Sequence, residues 1–247
     1  MAEVVTYESK DGIATITINR PEALNALDEA VIQGLHRAWV RLQDGDDRCA
    51  ILAAAGDRAF SVGADLKNPP AEMWQGVPGV GVEVEKPIVA AVKGFCVGGA
   101  YVIVQACDLV VAADSTVFIY PEAQVGFTGG LIAGAAARVP HKIAMEFMLL
   151  GQRLGAQRAY EVGMVNKLTP VGLEIEGAME YARILAESAP LVVRTLKRFV
   201  NATVIPKSPS ELSAIYRRDL LAVRNSADGV EGRKAFAEKR KPKFQGR

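Results

Sequence analysis

The hydrophobic pattern of this chain changes character part-way along, from short β-type runs to longer amphipathic segments. Val4 to Tyr7 and Ile13 to Ile18 are rich in β-branched residues, and the Lys10-Asp11-Gly12 turn between them predicts two strands. In the second, Ile and Thr alternate after Ala14, which predicts one buried and one exposed face. A helix fits Asp28 to Gln43, where Val31, Leu35, Ala38, Trp39 and Leu42 fall on one side. Arg48 to Ala53 is the next strand, followed by a turn at Gly56 and a loop carrying Gly63-Ala64-Asp65. The Pro- and Gly-rich stretch from Asn68 to Gly81 reads as irregular, with a short helix near Ala71 to Trp74. Pro87 to Val92, Leu109 to Ala112 and Thr116 to Ile119 read as strands, and Gly98 to Cys107 as a short apolar helix.

From Lys142 onward the spacing is helical: Lys142 to Leu150, Ala156 to Val162, Leu173 to Ser188, Leu191 to Ala202 and Glu211 to Asn225, with a last helix beginning at Asp228. Leu212, Ile215, Tyr216, Leu220 and Val223 form an apolar stripe on the fifth of these. Asp228 and Glu231 have the spacing of a capping box for the sixth. The chain contains no convincing internal repeat and no low-complexity tail.

Composition narrows the class. A length of 247 residues suits one large domain, or one with a helical appendage, and a hydrophobic fraction of 50% supplies a real core. The net formal charge of +1 argues against nucleic-acid binding, which relies on a cationic surface. No apolar run approaches the ~20 residues needed to cross a bilayer. The N-terminus lacks a basic start followed by an apolar block, so no secretory signal is expected. Cys49, Cys96 and Cys107 are odd in number and lack metal-ligand spacing, and they read as reduced core residues of a cytoplasmic protein.

Several chemistries lack their residues. Gly79-Val80-Gly81 has neither the third glycine nor the preceding strand of a dinucleotide loop, and no Walker A, G-x-S-x-G or H-E-x-x-H sequence is present. His36 lies within an amphipathic helix and His141 follows Pro140 at a helix start, so both read as structural, and no metal site is expected. What remains is a set of glycine turns and one isolated carboxylate. Gly98-Gly99 precedes the apolar helix, where close backbone approach is allowed and N–H groups lack internal partners. Such groups stabilise negative charge. Glu122 follows Pro121 among apolar and aromatic neighbours, where burial could make it a proton carrier. Taken singly, the glycines read as tight turns and Glu122 as a solvated loop carboxylate.

Their order along the chain changes that reading. Ile18-Asn19-Arg20-Pro21-Glu22-Ala23-Leu24-Asn25-Ala26-Leu27 resembles the opening motif of the enoyl-CoA hydratase/isomerase (crotonase) family. Ala59 to Lys67 resembles that family's first oxyanion loop, and Lys86 to Phe95 with Val97-Gly98-Gly99 and Cys107-Asp108 resembles its second. Glu238 to Phe244 is similar to its ending. The resemblance covers essentially the whole chain. It implies an α/β fold, a crotonase-like spiral of repeated ββα units over residues 1–190. A C-terminal helical region, residues 191–247, would form homotrimers that often pair into hexamers. It implies an oxyanion hole made by the backbone N–H groups of Ala64 and Gly99, with Glu122 moving the proton. Coenzyme A, arriving as part of an acyl-CoA substrate with no separate cofactor, would lie along Ala23 and Asn25 and along Val62, Gly63, Ala64, Asp65 and Leu66. Val97, Gly98, Gly99 and Pro121 would complete the thioester site, and Lys239 or Lys241 would lie near the phosphates.

The chain departs from the family in one telling place. Hydratases of this family typically carry a second glutamate on the helix after the Gly-Gly pair, and that position is Val102 here. Valine can neither accept nor donate a proton. The glycine-rich stretch Gly126 to Leu131 lacks the usual proline and runs short, and the loop after Asp65 is shortened as well. With one carboxylate, double-bond isomerisation of an enoyl-CoA is chemically the simplest expectation, with hydration its close competitor. A hydroxycinnamoyl-CoA hydratase-lyase-like reaction and a non-catalytic CoA-thioester-binding trimer are the alternatives.

Overall fold

The computed structural model describes residues 3–247. The first two runs form a hairpin, β1 (Val5–Lys10) and β2 (Ile13–Ile18), antiparallel with Val5 opposite Ile18. Next comes α1 (Glu29–Asp44), whose N-terminus is capped by Asp28 accepting from the Val31 N–H at 2.9 Å. The five apolar positions of its expected inner face are all buried, joined by Ile32. The chain then repeats a unit in which a longer strand of one sheet leads to a short strand of a second. β3 (Cys49–Ala54) leads to β4 (Ala59–Ser61), and β5 (Ile88–Val92) leads to β6 (Phe95–Val97) and α2 (Gly99–Val104). β7 (Leu109–Ala113) leads to β8 (Val117–Ile119) and the single turn α3 (Glu122–Val125). After α4 (His141–Leu150) come β9 (Leu154–Gly155), α5 (Ala156–Glu161) and β10 (Lys167–Thr169). Four helices close the chain: α6 (Glu174–Glu187), α7 (Pro190–Phe199), α8 (Pro209–Asn225) and α9 (Ala227–Ala237).

One sheet has the order β1-β2-β3-β5-β7-β10, parallel after the hairpin, and the other has the order β4-β6-β8-β9. Every residue of β3 and β5 is buried, as expected for parallel strands covered on both faces. One face packs on α1 in the main core. The other packs on α6, where Ala178 and Ala182 meet Ile51, Val89 and Val111. Small residues on α6 allow this close approach of helix to sheet.

Several elements differ from the sequence expectation. β4, β6, β9 and β10 have two or three residues each, too few for any periodicity to register. Thr15 and Thr17 on β2 are half-buried rather than exposed, because they share the face of the sheet that α6 packs against, as Ile13 does. Helix α7 ends at Phe199 and widens into a π turn, Val200–Val204, instead of running on to Ala202. The expected capping box at Asp228 and Glu231 does not form. Ser226 caps α9, while Asp228 and Glu231 accept backbone N–H groups from Gln245, Gly246 and Lys243 and pin the C-terminal tail. A capping box does occur at α8, between Ser208 and Glu211. On α8, Tyr216, Leu220 and Val223 lie in solvent in the single chain, each at least 63% exposed. No helix among the described residues is long and apolar enough to cross a membrane.

Candidate active site

The site is assembled where the short strands of the second sheet end. Its first wall is fixed by an internal polar knot. The Asn25 side chain accepts from Arg20 N–H at 2.9 Å and donates to the carbonyls of Ala55 and Ala59 at 2.8 and 3.0 Å. Leu24 and Asn25 both take left-handed backbone angles, φ 53° and 55°, which this knot holds in place. Leu27 then brackets the next loop, donating to Gly63 O and accepting from Asp65 N–H. Arg20 bridges Asp28 at 3.2 Å and Asp65 at 2.8 Å, and its hydrogen bond holds the Asp65 carboxyl below its usual range. The loop Gly63-Ala64-Asp65 is thus held from both sides, and the Ala64 N–H has no acceptor among the described residues.

The second wall is the turn from β6 into α2. Gly63 sits so close to it that a Cβ there would lie 2.7 Å from Val97 O and 3.4 Å from Gly99 N. Only glycine permits this approach at φ +85°. As the first residue of α2, Gly99 has an N–H without an intrahelical partner, and no other described group accepts it. Met73 packs its methyl over Gly99 so closely that a side chain at 99 would collide with it.

The third wall carries the carboxylate. Gly98 N–H donates to Ile119 O at 2.8 Å, which joins the ends of β6 and β8 and brings Pro121-Glu122 against Gly98. A Cβ on Gly98, whose φ is +55°, would stand 2.6 Å from Glu122 Oε1. The missing side chain at 98 is therefore the space the carboxylate occupies. Glu122 Oε2 is enclosed and has no hydrogen-bond partner. Burial pushes the Glu122 carboxyl up to about 7, opposed by its own backbone N–H.

These walls surround a cavity of about 730 Å³. It runs from Val62, Gly63, Ala64 and Leu66 past Val97, Gly98, Gly99, Pro121 and Glu122. It continues to Met73, Trp74 and Leu131 and to one face of α8. Val102 lines it as well, 6% exposed and one turn along α2, with its N–H donating to Gly98 O. Of the residues the sequence singled out, Ala23, Asn25 and Asp65 do not line it. Asn25 is 1% exposed and its side-chain amide is engaged by Arg20, Ala55 and Ala59, so that side chain shapes the loop. Lys239 and Lys241 are also absent from the lining, and Lys241 borders a separate depression with Asp228 and Glu231. His36 faces Gln75 O at 3.3 Å and His141 begins α4, both away from the cavity.

Sequence reading missed part of the wall. Met73, Trp74 and Tyr120 come from segments without interpretable periodicity. Ser210, Ser213 and Arg217 lie on α8, in the C-terminal region that the sequence reading expected to form oligomer contacts, and they line the cavity. Their spacing of three, four and seven residues puts them on one helix face, which adjoins the apolar stripe at Tyr216 and Leu220. That spacing was the available signal.

Comparison with known proteins gives a consistent picture. The family model Enoyl-CoA hydratase/isomerase matches residues 8–247. An (E)-benzylidenesuccinyl-CoA hydratase from Thauera aromatica is 36% identical over 98% of this chain and 99% of its own length. A carnitinyl-CoA dehydratase from Escherichia coli O157:H7 is 33% identical with full coverage of both. The solved carnitinyl-CoA dehydratase of Mycobacterium avium 104 superposes with a TM-score of 0.78 at 33% identity, covering 100% of each chain.

Proposed function

The chain belongs to the enoyl-CoA hydratase/isomerase family, and we propose that it catalyses the reversible addition of water to a 2-enoyl-CoA thioester with Glu122 as its acid/base group. The observation that carries this reading is the position of Glu122. Its raised carboxyl, with an enclosed and unpartnered oxygen, shares one cavity with two N–H groups that lack acceptors.

In this reading the thioester carbonyl oxygen lies between Ala64 N–H and Gly99 N–H. As charge develops on that oxygen, the two preorganised donors stabilise it, each by roughly 3–4 kcal/mol in comparable sites. Ionised Glu122 takes a proton from water as the water oxygen bonds to C3 and the double-bond electrons move onto the enolate. The protonated Glu122 then delivers a proton to C2, so one water is added and the carboxylate is restored. A carboxyl pushed up to about 7 suits both halves of this exchange near neutral pH. Dehydration is the same path reversed. The relatives' names, a hydratase and dehydratases acting on CoA thioesters, support water chemistry.

Val102 favours a second reading. With an apolar side chain where a second carboxylate would stand, Glu122 could remove a proton from one carbon and return it to another, moving the double bond without water. A screen of short, medium and aromatic trans-2-enoyl-CoAs and their 3-enoyl isomers separates the two, followed by conjugated-thioester absorbance and product mass. Loss of conjugation with a mass gain of one water is expected. Gain of conjugation from 3-enoyl substrates without any hydration establishes the isomerase instead. No conversion of any substrate makes this a non-catalytic binder. The solvent-exposed stripe of α8 further suggests a second copy of the chain as its cover, in a trimer or hexamer.

A further inference from the structure

The α8 side of the cavity is chemically unlike the rest. Arg217 is the only cationic residue in the lining, whose other charged members are Glu72 and Glu122. Its guanidinium meets Glu72 through two nitrogens: Nη1 donates to Oε2 at 3.0 Å and Nη2 pairs with Oε1. Glu72 Oε2 also accepts from Trp74 Nε1. The carboxylate is therefore heavily engaged, and the Glu72 side chain is only 25% exposed against 58% for that of Arg217. Five N–H donors on arginine leave Nε–H and the outer hydrogens of both Nη atoms free. Ser210 and Ser213, on the same face of α8, have hydroxyls without a hydrogen-bond partner among the described residues. The guanidinium can only donate, and the two hydroxyls can donate or accept, so an acceptor is the one partner all three can share.

A purely apolar acyl chain would leave these donors facing hydrocarbon, at a cost in desolvation. An acyl group ending in an acceptor, above all an anionic one, would use them. Glu72 then acts as the strut that aims the guanidinium, since it joins the irregular loop to α8 across the cavity.

We propose that Arg217, aimed by Glu72 and flanked by Ser210 and Ser213, is a subsite for a carboxylate at the far end of the acyl group, so that the substrate is the CoA monothioester of an unsaturated dicarboxylic acid. This deepens the enoyl-CoA reading and rests on it for the identity of the thioester, but not for the anion contact itself.

The test separates the two. Titration calorimetry compares saturated CoA monothioesters of dicarboxylic acids, from succinate to suberate, with the fatty acyl-CoA of equal carbon number. The wild-type protein is expected to favour the dicarboxylic member at one length by about ten- to a hundredfold, the range of one charge-assisted contact. That ratio should shrink with added salt because the guanidinium is partly solvated. R217M should abolish the preference, R217K should keep part of it, and S213D should reverse it by placing a like charge beside the ligand. Because S213D leaves residue 217 itself unchanged, it covers the case in which R217M fails to fold. Equal binding of both series at every length overturns the subsite, as does a preference that survives in folded R217M or in S213D. Turnover of the matching 2-enoyl thioesters is scored separately. Carboxylate-dependent binding without any turnover sinks the reaction and leaves the subsite standing. Turnover of neutral substrates without carboxylate preference does the reverse.

Discussion

Replacing Glu122 with glutamine removes one ionisation and keeps the shape, so it tests the site's chemistry and its energetics together. Burial moves the carboxyl from 4.5 to about 7, a difference worth about 3 kcal/mol if fully expressed. Residue 122 is only half-buried, so solvent screening reduces this to roughly 1–2 kcal/mol. The sign follows from proton binding. Between 4.5 and about 7 the folded protein holds a proton on Glu122 that the unfolded chain has released. This group's contribution therefore falls as pH rises through that window and is constant above it. Glu122→Gln should flatten that slope and make the protein relatively more stable at pH 8 than at pH 5. Activity moves the other way. The ionised form is the base, so kcat/KM in the wild type should rise with pH up to about 7 and then level off. In the mutant the rate should fall by at least ~100-fold, the usual cost of losing a positioned acid/base group. Urea unfolding across pH gives the stability slope, and thioester absorbance gives the rate. A folded mutant with near wild-type turnover, or with the same pH–rate profile, would refute the assignment of Glu122. An unchanged stability slope would refute its burial as the cause of the shift.

Gly98→Ala should cost about 1–2 kcal/mol from the left-handed backbone alone and lower turnover by more than tenfold. The new methyl takes the space of Glu122 Oε1, and thermal unfolding with a rate assay checks both effects. Val102→Glu should increase hydration relative to isomerisation on the same enoyl-CoA by offering a second carboxylate, while lowering stability by about 1–3 kcal/mol for the buried polar group. An unchanged product ratio in a folded oligomer means that Val102 only shapes the acyl pocket. Light scattering should give a trimer or hexamer at micromolar concentration, and Leu220→Glu should shift it toward smaller species, since Leu220 is 71% exposed on the single chain. A wild-type monomer refutes the oligomer reading.

Elements long enough to repeat their own pattern were legible in the sequence. The inner face of α1 and the β-branched hairpin follow from local periodicity, and β3 and β5 from short unbroken apolar runs, because burial selects apolar residues wherever a face is covered. The glycines at 63, 98 and 99 and the carboxylate at 122 were visible as residues, and their order supplied the family. Their roles were expected from the resemblance, but their placement against one another was not visible. That Gly98 vacates the space for a carboxylate, and that burial then raises that carboxyl, depends on β6 and β8 ending side by side. β8 was legible as a short β-type run, but three-residue β6 has no periodic signature, and its pairing with β8 is a long-range backbone contact. The same holds for Asn25, whose motif suggested a ligand contact but whose amide is consumed by backbone carbonyls more than 29 residues away. Arg217 lies farther still in sequence from Glu72, its partner across the cavity. Which side chains face one another across a space is set by the packing of distant segments, and a local pattern carries no record of that distance.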